Sequence, residues 1–203
     1  MDALTERLRA ASGSDHAADS IERPRPGTSD PSLSPPSTNE PARQPDNRPS
    51  ASSLRDCESH LQTGQAYLNQ GKYFRAAEAF SLASASNPSE SRAFLGRFQA
   101  LFGAAEFLGS ALSLAKAIEL DPKRALQRAD LVWISGGPEA FIARFNELAE
   151  GARAGDTPQL QFLLAYIYYQ MERPQEARTA INTARKGLPS SLAVEILGTA
   201  IHQ

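Results

Sequence analysis

Cysteine occurs once in this chain, as Cys57, so neither an intrachain disulfide nor a thiolate metal cluster is available. A lone thiol beside Glu58 rather than a cation reads as inert and fits a reducing, cytoplasmic setting. Histidine is nearly as scarce. His16, His60 and His202 lie far apart, with no HExxH or paired-cysteine spacing around them, so no catalytic residue, metal or cofactor is expected. The 21 basic and 23 acidic side chains nearly cancel, and no run of like charge or basic stripe with aromatic platforms is present. A nucleic-acid partner is thereby excluded. No apolar run approaches the roughly 18 residues of a membrane span, and the first residues lack the apolar core of a signal peptide, so membrane insertion is not expected. Gly136-Gly137-Pro138 precedes a helix without the Lys-Ser/Thr of a phosphate loop and reads as a break between helices.

What the chain does contain is unevenly distributed. Eight of the 14 prolines fall in residues 1–55, among Ser, Asp, Asn and Arg, whereas the remainder is rich in Ala and Leu. Such a leading stretch cannot bury enough apolar surface to offset the entropy of ordering it. Residues 1–55 are therefore expected to be a disordered Pro/Ser-rich tether, with Leu4, Leu8 and Ala11 marking a short apolar stripe at its start. Ser32 and Ser34, each beside a proline, are expected to be exposed hydroxyls in this tether, open to phosphorylation. Residues 56–203 form the folded domain.

Within that domain a pattern recurs. Gly64, Tyr67, Gly71, Ala76, Phe80, Ala83 and Pro88 return 34 residues later in part, as Ala117 and Pro122, and again as Leu164, Ala165, Tyr168, Ala177, Ile181, Ala184 and Pro189. The spacing predicts helices over about 56–69 and 73–85, then 90–103 and 106–119, with Ser53 or Asp56 as the first cap. Gly64 is expected to let the partner helix approach at Ala76. A short helix near 123–134 and another restarting at Pro138 follow, with Ala140, Phe141, Phe145, Leu148 and Ala149 on one buried face. Trp133, among Leu131, Val132 and Ile134, reads as a core residue. Gly187 stops the last paired helix, and 190–201 reads as a capping helix.

This pattern is similar to the tetratricopeptide repeat family, of the small bacterial type. The resemblance implies an all-α fold, an α-solenoid of antiparallel helical hairpins, with units at about 57–90, 91–124, a degenerate 125–157, and 158–191. Phe98 and Ser110 stand where the family has small residues, and Glu172 stands where it has the turn glycine. In the family the first helix of each unit lines a concave groove. Carried over, the groove residues are Leu61, Gln65 and Leu68 from the first unit, Arg92, Leu95, Gln99 and Phe102 from the second, and Gln159, Phe162, Tyr166 and Tyr169 from the last. Glu58, Asn69, Gly103 and Gln170 complete these sets. The expected partner is a protein or peptide, apolar or amphipathic, held by a non-catalytic adaptor or assembly factor. A secretion-type client chaperone and a homotypic scaffold, hence a homo-oligomer, are the alternatives; internal packing against the degenerate unit is the third use open to these side chains. The family's clamp for an acidic C-terminus is absent, because Leu61, Gln65, Gly96, Leu126 and Asp130 occupy its positions.

Overall fold

The computed structural model describes residues 49–155 and 157–203, so the expected tether, with His16, Ser32 and Ser34, lies almost wholly outside the described residues. Among the described residues there are ten helices and no strand. The first, α1 (Ala51–Asn69), starts earlier than the sequence reading because Ser50, not Ser53 or Asp56, caps it, its hydroxyl accepting from Ser53 N at 3.1 Å. It pairs with α2 (Tyr73–Ser86), α3 (Ser91–Gly103) pairs with α4 (Phe107–Leu120), and α8 (Pro158–Gln170) with α9 (Pro174–Gly187). These are helical hairpins packed in neighbouring pairs.

The three hairpin turns share one geometry built from three different residues. Gly71, Ala105 and Glu172 each have positive φ, at 68°, 62° and 57°. In each turn the left-handed N–H bonds three residues back, and the next N–H bonds five residues back: Lys72 N to Tyr67 O at 2.9 Å, Glu106 N to Leu101 O at 2.9 Å, Arg173 N to Tyr168 O at 3.0 Å. Only glycine takes this conformation freely, so Ala105 and Glu172 sit there at some cost, held by the packing of the helices on either side.

Between α4 and α8 the chain departs from a simple pair. Asp121 caps α5 (Pro122–Ala125) through Arg124 N at 3.1 Å, and Asp130 caps α6 (Leu131–Ser135) through Trp133 N at 2.9 Å. The single helix expected near 123–134 is thus two short ones around an irregular segment. Gly136 and Gly137, with φ of 90° and 124°, end α6, and α7 (Pro138–Ala154) follows. On α6, Leu131 and Ile134 are buried, which turns Val132 and Trp133 outward; Trp133 is 50% exposed and is not the core residue its neighbours suggested. On α7 it is Leu148, Ala149 and Ala152 that are buried, while Phe141 and Phe145 pack only partly.

This stretch does not separate the second hairpin from the last. Helix α8 packs directly on α4, and Phe98 of α3 meets Tyr166 of α8 edge-on at 5.4 Å. The large residue at 98 is accommodated by α8, with Ser110 Oγ donating to Phe98 O at 3.2 Å. Helix α10 (Leu192–His202) packs on α9 and also on α4, so that α4, α8, α9 and α10 enclose one apolar core. A second, smaller core lies between α1, α2 and α3 around Phe80. There the close approach differs from the expected Gly64–Ala76 meeting: a Cβ at Gly64 would stand 2.8 Å from the Phe80 ring, and one at Gly96 2.4 Å from it.

Helix α3 begins at a charged cap. Glu90 accepts from Arg92 N at 3.1 Å and from the Arg92 guanidinium at 2.9 Å. The Arg92 hydrogen bond, against a smaller opposing effect of burial, holds the Glu90 carboxyl below its ordinary value near 4.5. Glu90→Ala is expected to lower stability by about 1 kcal/mol at neutral pH. Because the folded pKa is depressed, this contribution is present above the ordinary Glu range and disappears as acid takes Glu90 through its folded pKa. Urea unfolding of both proteins from neutral to acid pH checks this, and a constant gap throughout would refute it.

Candidate functional site

A cleft of about 430 Å³ opens where α1 and α3 face the irregular segment after α4. Leu61 and Gln65 come from α1, one turn apart, so both lie on the same side of the helix. From α3 the lining takes Arg92, Leu95, Gly96 and Gln99, whose spacing keeps them on one face while Ala93 and Ala100 pack inward. The third wall is backbone and side chains of 124–129, including Arg124, Gln127 and Arg128.

That third wall is held in place by α8. Tyr166 Oη donates to Ala125 O at 3.0 Å, Gln170 Nε2 donates to Gln127 O at 3.1 Å, and Gln170 Oε1 accepts from Ala129 N at 3.0 Å. These bonds supply partners to backbone groups at the end of α5 and in the irregular segment that follows it. An exposed Arg128–Glu172 ion pair adds a further tie. Burial pushes the Tyr166 phenol well above its ordinary range, and its hydroxyl therefore stays protonated as a donor.

Three guanidiniums border the cleft, each with a carboxylate beside it. Arg92 pairs with Glu58 at 3.0 Å and Glu90 at 2.9 Å, and these hydrogen bonds, that of Glu90 first, fix its positive charge. Arg124 pairs with Asp121 at 3.3 Å, and Arg128 with Glu172. Solvent reaches the Arg92–Glu58, Arg124–Asp121 and Arg128–Glu172 pairs, so each of these contributes little to stability and exchanges readily. Cys57 is buried in the smaller core, where burial first, and the nearby Glu90 carboxylate next, raise its thiol pKa. Among the described residues no three His, Cys, Asp or Glu side chains group together as metal ligands.

The groove set read from the sequence divides. Leu61, Gln65, Arg92, Leu95, Gln99 and, at the back, Tyr166 border the cleft. Leu68 belongs to the smaller core, as Leu61 does for most of its surface, and Phe102 and Phe162 are sealed in the larger one, at 0% and 2% exposure. Tyr166 is likewise fully buried, so its ring is not offered to a ligand. The aromatic inner wall is interior because α8 lies directly against α3 and α4. Gln159 is half-buried and does not line the cleft, and Tyr169 faces a separate depression of about 550 Å³ against Leu192 and Ile196 of α10. Arg124, Gln127 and Arg128 were not in the set, since 123–134 read as one helix. Asp130 immediately before Leu131-Val132-Trp133-Ile134 was the available signal, because an Asp just ahead of an apolar run marks a helix start.

No protein-family model matches the chain. The curated proteins likewise include no significant match. No helix among the described residues is long and apolar enough to cross a membrane.

Proposed function

We propose that this chain is a non-catalytic protein-interaction module of tetratricopeptide-like build, an adaptor or assembly factor working in the cytoplasm, which holds a peptide segment of its partner in the cleft between α1, α3 and residues 124–129. The observation that supports this is the cleft itself. Its floor carries Leu61 and Leu95, and its walls carry glutamine amides and guanidiniums, a mixture that binds an amphipathic chain rather than performing acid–base work. Sealing of Phe102, Phe162 and Tyr166 turns the reading away from a chaperone that shields a long apolar client, because little greasy wall is left in the cleft.

Leu95 is half-buried at the cleft floor with one side against the larger core, so a larger ring there extends into the open cleft. Screening the full chain against terminally blocked peptides of varied charge and hydrophobicity is expected to yield binders. Leu95→Trp should weaken each of them about tenfold or more, the loss typical of a blocked interface anchor, with helical circular dichroism unchanged. Binders indifferent to Leu95→Trp, or no binder at all, would remove the cleft from consideration.

A further inference from the structure

We infer, resting on the cleft reading above, that the segment taken there is extended and acidic, and that it is recognised through its side-chain carboxylates. Arg92 stands on the α3 wall of the lining and Arg124 and Arg128 on the facing 124–129 wall, whereas Glu58 is the sole acidic member among the described residues and is already bonded to Arg92. The carboxylates beside the other two guanidiniums engage few of their donors. Arg124 gives only Nε to Asp121, and Arg128 only Nη1 to Glu172, among the described residues. A guanidinium has five N–H donors in a rigid fork, so a neighbouring carboxylate orients it and leaves a bidentate edge for a second one. Because Arg128 and Glu172 are both 69% exposed, an incoming carboxylate can also displace that pair at little cost.

The glutamines decide the conformation of the ligand. Gln62, Gln99 and Gln127 line the same cleft, and no described group bonds to their side-chain amides. Each amide offers donors and an acceptor, the complement of one peptide unit. An extended chain has main-chain groups to give; a helix has already spent its own internally. The cleft holds no exposed aromatic platform on which bases would stack, which favours a peptide over a single-stranded nucleic acid.

The test measures fluorescence anisotropy of three terminally blocked peptides with the full chain, in which Leu alternates with Glu, Gln or Lys. The Glu peptide is expected to bind tightest and the Lys peptide weakest, with the Glu affinity falling as salt rises. Arg124→Gln and Arg128→Gln are each expected to weaken the Glu peptide about tenfold while leaving the Gln peptide nearly unchanged. Both side chains are exposed, so helical content should hold. Unblocking the C-terminus should add little, since side-chain carboxylates carry the recognition. Equal Glu and Lys affinities, each lost on Leu95→Trp, would overturn the acidic preference and leave the cleft standing. Failure of all three peptides, or indifference to Leu95→Trp, would overturn the cleft reading itself. Equal displacement by a single-stranded oligonucleotide, or binding only with a free C-terminal carboxylate, would also overturn the inference.

Discussion

Phe80→Ala is expected to lower the stability of the domain by about 3–5 kcal/mol, among the larger losses that a single truncation produces. The ring is 3% exposed and lies wedged between α1 and α3, filling the space that side chains at Gly64 and Gly96 would otherwise take. Removing it leaves a cavity bordered by two glycines, which have nothing to extend into it. The converse substitution tests the same wedge. Gly96→Ala gains helix propensity of about 1 kcal/mol, yet its new methyl would stand 2.4 Å from the Phe80 ring. A net loss of about 1–3 kcal/mol is expected from overpacking. In the Phe80→Ala background the clash is gone, and Gly96→Ala should become neutral or stabilising. A double-mutant cycle by urea unfolding reads this reversal, and additive effects would mean that the ring and Gly96 do not share the space.

That wedge shows what the sequence makes legible and what it leaves out. Small residues at 64 and 96 and an aromatic at 80 signal close-packed hairpins, and the turns at Gly71, Ala105 and Glu172 fall where the recurring pattern puts them. Which small residue meets which ring was not legible: Gly64 was expected against Ala76, but Phe80 occupies the space between Gly64 and Gly96. Longer-range placement was harder still. Nothing in 125–157 says whether those residues stack between the second and last hairpins or loop aside, and the burial of Phe102, Phe162 and Tyr166 depends on that choice. With α8 against α4, the side chains that linear stacking would turn toward a groove become core. The polar half of the candidate site was readable in part. Gln65, Arg92 and Gln99 come from regular helices, whereas Arg124 and Arg128 owe their positions to a segment whose shape is set by bonds from Tyr166 and Gln170.

Tyr166→Ala should therefore do two things at once: destabilise the domain by about 3–5 kcal/mol and loosen the third wall of the cleft. Its ring packs edge-on against Phe98 in the larger core, and its hydroxyl holds Ala125 O. Tyr166→Phe separates the two roles. It keeps the ring, leaves the Ala125 carbonyl without that donor, and is expected to cost about 1–2 kcal/mol. The two proteins should also respond differently to alkali. Burial raises the folded pKa of Tyr166 above its ordinary value of about 10, so both states are protonated below that pH and its contribution is fully present there. As the pH rises further the unfolded chain ionises first, and this contribution is lost as the pH approaches the folded pKa. Tyr166→Phe has no such proton to lose, so its stability should fall less steeply above pH 10. If the two unfolding curves keep a fixed separation from neutral to alkaline pH, Tyr166 is not the buried donor that holds the Ala125 carbonyl. If instead they converge, the Tyr166 hydroxyl is a buried donor whose proton the fold retains, as its bond to Ala125 O requires.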